Sequence, residues 1–371
     1  MNKFISFSPK VIRRFDWNID WVPEKNRYWV ESSTWNSLHY GHIISRAHDI
    51  DTPWSLCGTV CEIPTNLDGV EDDFSDMLDS VAVDTINTIQ QKNQAPYIFY
   101  SGGIDSTSIF VALLKNADRN FLESLTVVSN HDSIQENPYF FDRFIKNKFR
   151  IIETDKFLID PEHAHEIAII DGESGNQCLG SGEIYDLARK NRTDLLDRHY
   201  SITEQFDYQP NDRFFVNLAL DSVKYAPVRI HSLYDFFWWS NFNFKFDHVL
   251  LRKILVYTDN FLGDQRRTFF YNNLYRLYAH ADMQKWCMCN LEQMHATLNT
   301  TTKFHPKKYI FDYDKNEYYF LQKKESSSSA TIFSNKDTYK KLYIGLDADW
   351  NIVDFTDRKT RQMIKKIILE N

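Results

Sequence analysis

Residues 97–111, YIFYSGGIDSTSIFV, decide how the rest of this chain is read. The run from Tyr97 to Tyr100 is short, apolar and rich in aromatic and β-branched side chains, the composition of a buried strand. Gly102 and Gly103 follow as a tight turn, and Asp105 to Lys115 has the composition of a helix. The whole chain has 11 glycines in 371 residues, so two in succession mark a place where the backbone needs them. A strand entering a helix through such a turn aims several N–H groups at one point, beside the positive end of the helix dipole. Ser101, Ser106 and Thr107 add hydroxyl donors there. Asp105 would repel a bound anion unless a cation lay between them, which predicts a magnesium ion bridging carboxylate and phosphates. The spacing is not that of a Walker A loop, because the Gly-Lys-Ser ending is missing.

Working outward, residues 72–91 place Phe74, Met77, Leu78, Val81, Ile86 and Ile89 at helical spacing after an acidic start, which predicts a helix. Strands are predicted over 121–128 and 150–153, with a helix over 137–148 between them. Short apolar strands alternating with helices indicate a parallel α/β sheet. Residues 28–63 alternate in the manner of short antiparallel strands, and the chain beyond Phe206 reads as helical and strongly aromatic. The last segment, 343–371, predicts a strand or two and a basic helix over 357–369. The expected division is a small β-rich N-terminal region (1–75), an α/β domain with a helical C-terminal part (76–320), and an extension ending in the basic helix (321–371).

Composition narrows the function classes. Lys and Arg number 43 against 51 Asp and Glu, so the net charge is -8, which argues against broad nucleic-acid binding by a basic face. No apolar run approaches the roughly 20 residues that span a bilayer, so no membrane role is expected. The start, MNKFISFSPK, lacks the apolar stretch and cleavage site of a signal peptide, and five Cys is an odd number for a disulfide framework; a cytoplasmic location is expected. Cys57 with Cys61, and Cys287 with Cys289, have the spacing of metal ligands, but buried structural thiols are the expectation. His39, His42 and His48 near Asp49 and Asp51 read as hydrogen-bonding loop residues. The aromatic run 236–246, with few cations interleaved, reads as core packing or an apolar wall. Ser326 to Ser329 reads as a loop, and the basic 358–366 stretch as a solvated face.

The hexapeptide Ser101 to Ser106 resembles the SGGxDS signature of the PP-loop ATP pyrophosphatase superfamily, an adenine nucleotide alpha hydrolase-like fold. A second stretch, 168–182 (AIIDGESGNQCLGSG), is similar without a gap to the SGEGxDELFGGY loop of the asparagine synthetase adenylating domain. The resemblance covers roughly residues 95–313. It implies that Ser101, Gly102, Gly103, Ser106, Thr107 and Gly172 hold the diphosphate of ATP, and that Val128 meets the adenine through main-chain groups. It implies further that Asp105 binds Mg2+ and that Glu173 assists proton transfer. Asn176 and Gln177 stand where the family has a metal-binding aspartate and a glutamate; an amide oxygen binds magnesium more weakly than a carboxylate. Residues 136–144 resemble the family's glutamate-led helix, and Asp282 takes the place of an aspartate in its aromatic stretch. Lys308 matches the lysine that reaches pyrophosphate, with Lys307 and Lys303 as alternatives.

The implied activity is an ATP-dependent, AMP-forming carbon–nitrogen ligase. A carboxylate or amide oxygen is activated as an AMP adduct and transferred to ammonia or a small amine. The resemblance stops short of the glutaminase half, since Asn2 and Lys3 follow Met1 in place of its catalytic cysteine. Two alternatives stand beside this expectation. One is a PP-loop enzyme modifying tRNA or a nucleobase, against which the acidic balance counts. The other is a nucleotide- or partner-binding protein with weakened catalysis, for which Asn176 and Gln177 argue.

Overall fold

The computed structural model describes residues 5–6, 45–48, 61–70, 73–180, 212–247, 249–250, 254, 258, 260–297, 300–301, 303–322, 344–347, 349–354, 358–359 and 362. The chain divides into two compact units: Pro64–Arg189 with Arg267–Ala330, and Met1–Ile63 with Lys190–Arg266 and Thr331–Asn371. Residues 190–266, expected in the α/β domain, therefore cluster with the two terminal segments.

The first unit is an α/β fold. Its sheet has five parallel strands, β1 (Ala95–Phe99), β2 (Thr126–Ser129), β3 (Arg150–Glu153), β4 (Ile167–Asp171) and β5 (Leu274–Arg276), in the order β3-β2-β1-β4-β5. Tyr97 sits opposite both Thr126 and Ile169. β2 is buried along its whole length and β4 from Ala168 onward, as parallel strands covered by helices on both faces must be. The chain leaves β1 toward β2 on one side, and β4 pairs on the other, so the direction of winding reverses between β1 and β4. Ligand clefts of such sheets open at the carboxyl ends of the strands at that reversal.

Helix α1 (Phe74–Gln91) follows the predicted apolar stripe, buried from Phe74 through Ile89, and Asp73 caps it by accepting Ser75 N–H at 2.6 Å and Asp76 N–H at 3.4 Å. Helix α2 (Ile104–Asn116) is buried on every side from Ser106 to Leu113, because it packs against α1 and against a late helix, Phe304–Asp314. Asp79 on α1 ties the three together, accepting Lys115 Nζ at 2.5 Å, Asn116 Nδ2 at 2.7 Å and the Tyr309 hydroxyl.

Two local expectations differ from the structure. The strand predicted from Phe121 begins at Thr126, because Asp118 accepts Phe121 N–H at 2.7 Å and starts α3 (Arg119–Ser124) instead. The helix predicted over 137–148 is a short turn, Pro138–Phe140, running into a wider π-helical segment, Phe141–Ile145. β5 was not anticipated at all. The strand 150–153 falls where predicted.

In the second unit Ile344–Asp347 pairs antiparallel with Ile5–Ser6 and with Ile352–Asp354, matching the strands expected after residue 343. The aromatic run forms helix Leu233–Phe244, capped by Ser232 and Asp235, with every residue buried. Trp239 Nε1 donates to Ser222 Oγ at 2.9 Å, and the Arg46 guanidinium lies 4.0 Å from the Phe246 ring centroid. The run is core. His48 stacks on Tyr225 with centroids 4.3 Å apart. His39, His42, Cys57, most of 28–63, the Ser326 to Ser329 loop and most of the basic helix lie outside the described residues. Among the described residues no helix is long and apolar enough to cross a membrane, and no cysteine is in a disulfide.

Candidate functional site

The two sequence motifs meet at the reversal point of the sheet. β1 delivers Ser101, Gly102 and Gly103 to the start of α2, and the neighbouring β4 delivers Gly172 and Glu173 to a short helix, Gly175–Leu179. Gly102 has φ +73°, and a Cβ there would lie 2.0 Å from Ser133 O, so only glycine serves. Gly103 is the N-cap of α2. Gly102 and Gly103 are buried while Ser101 is exposed.

Hydroxyls hold the turn from beneath. Ser106 Oγ donates to Gly103 O at 3.2 Å and lies 2.9 Å from Ser101 Oγ; Thr107 Oγ1 donates to Gly102 O at 3.3 Å. The Tyr319 hydroxyl donates to the same Gly102 oxygen at 3.1 Å, and burial pushes that phenol well above its ordinary range. Ser108 Oγ donates to Asp105 O at 2.9 Å and meets the Tyr278 hydroxyl at 2.7 Å. Burial first, and the Asp105 charge second, also raise Tyr278. Ser106 and Thr107 are thus spent on the backbone, and Ser101 is the exposed hydroxyl of the three.

The second loop packs on the first turn of α2. A Cβ on Gly172 would stand 2.8 Å from Ser106 N, and one on Gly175 would stand 2.4 Å from Asp105 Cγ. Gly175 escaped the sequence reading, although a glycine three residues after Gly172 in so glycine-poor a chain was a signal for it. Glu173 is half-buried and donates its N–H to Asp171 Oδ1 at 3.1 Å. Asn176 is exposed on the first turn of its helix, and Gln177 is buried.

Charge at the loop comes from Lys303. Its Nζ lies 2.5 Å from both carboxylate oxygens of Asp105, with the lysine side chain 1% and the aspartate side chain 16% exposed. Lys303 has φ +53°, a left-handed backbone that costs a non-glycine residue about 1 kcal/mol, and it immediately precedes helix Phe304–Asp314. Of the three candidate lysines, Lys303 is the one at the loop. Lys308 is exposed and pairs with Asp312 one turn along the same helix. Five residues past Lys303, it faces about 140° around the helix axis at 3.6 residues per turn. Lys307 is buried elsewhere, donating to Thr301 Oγ1 at 3.0 Å and to Phe320 O at 3.2 Å.

Glu136 also reaches the loop: a Cβ on Gly103 would lie 3.2 Å from its Oε1. Val128 is buried in β2, and its carbonyl accepts Tyr100 N–H at 2.9 Å. Asp282 stands apart from the loop contacts, grouped with Asp84 and His280 within 4.8 Å, and Lys285 Nζ already lies 3.1 Å from it. Cys178 Sγ donates to Tyr278 O at 3.0 Å, and burial with the neighbouring Cys178 pushes the Cys287 thiol well up.

The fold and this loop pair define a class: a parallel α/β protein whose candidate site is built from the loops after two adjacent strands. Compared with known proteins, the chain matches no family model and no curated protein.

Proposed function

We propose that this protein binds ATP at the Ser101–Thr107 turn and uses it to activate a carboxylate or amide oxygen as an AMP adduct. In the first step the substrate oxygen bonds to the α-phosphorus, the bond from that phosphorus to the bridging oxygen breaks, and pyrophosphate leaves with the electron pair. In the second, the nitrogen of ammonia or a small amine bonds to the activated carbon, AMP leaves, and the nitrogen loses a proton, for which Glu173 is the candidate acceptor. The observation that carries this reading is the meeting of both loops on Asp105 at the winding reversal, where Gly172 and Gly175 leave no room for a Cβ.

Asp105 is the residue that would hold a magnesium ion, and a carboxylate that already receives an ammonium on both oxygens fits a cation. The Asn176 amide oxygen is the second candidate ligand. Bound there, the ion would neutralise phosphate charge. Lys303, an alternative to Lys308, is the candidate cation for a departing pyrophosphate, a reading its contact with Asp105 supports. The N–H groups at the start of α2 orient the diphosphate, and positioning with charge stabilisation supplies most of the rate.

Calorimetric titration of the purified protein with MgATP tests the binding, and pyrophosphate release with a panel of carboxylic acids and ammonia tests the chemistry. Binding that is lost in Asp105→Ala supports the reading; no MgATP binding throughout the millimolar range overturns it. A second reading, nucleotide binding with little turnover, is favoured by the exposed amide of Asn176 where a carboxylate would add charge. Tight ATP binding with slow pyrophosphate release that Asn176→Asp accelerates would favour it.

A further inference from the structure

The peptide between Gly102 and Gly103 has no side chain at either end to restrict it, so its plane can turn either way without a Cβ clash. One orientation presents the Gly103 N–H to a bound anion; the other presents the Gly102 oxygen, which repels it. In this structure two hydroxyls donate to the Gly102 oxygen from the buried side, Tyr319 at 3.1 Å and Thr107 Oγ1 at 3.3 Å. The bond is trans, so C=O and N–H point opposite ways and the Gly103 N–H faces outward. There it meets the exposed Ser101 Oγ at 3.4 Å, a long contact that a ligand oxygen can replace. We propose that Tyr319, together with Thr107, is a positioning residue for this turn: the two hydroxyls fix the Gly102–Gly103 peptide with its N–H toward a diphosphate and polarise that N–H as a donor. The proposal rests on the reading of this turn as a diphosphate site.

Local structure brings Tyr319 to the turn from 217 residues further along the chain. Lys315 takes a left-handed backbone, φ +59°, after helix Phe304–Asp314, and Asn316 caps the next short helix, Glu317–Leu321, by accepting Tyr319 N–H at 3.3 Å. That bend leaves Tyr318 76% exposed and its neighbour Tyr319 only 6%. Burial pushes the Tyr319 phenol well above its ordinary range, so it stays protonated and remains a donor through neutral pH. Donors on a carbonyl polarise the peptide and strengthen the N–H at its other end. A phenylalanine would fill the same space without the hydroxyl. Tyr319 lies beyond residue 313, where the sequence resemblance ends, so the resemblance implies no role for it.

Gly102–Gly103 is the only Gly–Gly step in the sequence. Full-length protein carrying glycine isotope-labelled at its nitrogen and carbonyl carbon therefore gives one amide signal coupled to a labelled carbonyl, that of Gly103. Magnesium pyrophosphate is expected to move this signal downfield in the wild type. In Tyr319→Phe the ligand-free signal should lie upfield of wild type, and magnesium pyrophosphate should bind about three- to tenfold more weakly by calorimetry, the range for one lost hydrogen bond. Thr107→Val is expected to act in the same direction through the other hydroxyl, and it carries the test if Tyr319→Phe does not fold in a thermal melt. A variant with the wild-type Gly103 signal and wild-type affinity, even at a lower melting temperature, overturns the positioning role and leaves the diphosphate reading standing. So does a wild type that binds magnesium pyrophosphate with its Gly103 signal unmoved. If neither magnesium pyrophosphate nor MgATP binds the wild type, the diphosphate reading itself falls, and the positioning role with it.

Discussion

Gly175 lies flat against the carboxylate of Asp105: a Cβ at Gly175 would come within 2.7 Å of both Asp105 oxygens. The contact joins a loop after β4 to the first turn of α2, and it makes Gly175→Ala an informative substitution. The methyl group must push the carboxylate or the helix aside, at a cost of about 1–3 kcal/mol for an overpacked site. Denaturant unfolding should register that loss, and MgATP affinity should fall with it because Asp105 moves. An alanine variant with unchanged stability and unchanged affinity would show that the two loops do not constrain each other.

The lysine assignment predicts an asymmetry. Lys303→Ala leaves a mostly buried Asp105 without its ammonium and should cost about 3 kcal/mol of stability, the order found when one partner of a buried pair is removed. Lys308→Ala breaks an exposed pair and should cost less than about 0.5 kcal/mol. Urea unfolding of the two variants side by side decides it; equal losses would contradict the assignment.

Asp314 provides a pH signature. Burial pushes its carboxyl up, against the Asn316 N–H and the nearby Arg143 and Lys315. The folded state then holds this proton to higher pH than the unfolded chain does. Its contribution to stability is complete below the ordinary value of 3.8 and is lost as pH rises through the raised value. Asp314→Asn keeps an oxygen for Asn316 N–H and cannot ionise. The melting temperature of the variant relative to wild type should therefore climb as pH rises from the ordinary 3.8 through the raised value. A difference that stays flat across that window would refute the burial argument.

Asp73 gives the opposite sign. Burial alone would raise its carboxyl, but the N–H groups of Ser75 and Asp76 outweigh it and hold the group below the ordinary 3.8. Its stabilisation is present above that value and lost as pH falls through the lowered one. Asp73→Ala should cost about 1 kcal/mol at neutral pH, as for other helix N-caps, and progressively less in acid. Circular dichroism melts at neutral and acid pH measure both.

Much of the site's scaffold was legible because its signals are local. The stripe from Phe74 to Ile89 and the cap at Asp73 lie within one helix, and the strand–glycine–helix order around Gly102 is a matter of neighbouring residues. Local competition also explains a miss: the Asp118 cap captured Phe121 for a helix that the apolar run alone had suggested was strand. Lys303 was harder to choose, because three lysines within six residues carry the same chemistry and helical phase sorts them only once the helix start is known.

What the amino-acid order determined by itself was the parallel α/β class and the two glycine-bearing loops, since periodicity, caps and turn residues act over a few positions. What only the tertiary structure decided was which distant groups share the loop. Lys303 and Asp105 are 198 residues apart in the chain. Their contact exists because α2 packs against helix Phe304–Asp314, and Gly175 joins them because β4 takes the place beside β1. Such meetings depend on the packing of whole elements against one another, and no short stretch of residues encodes them.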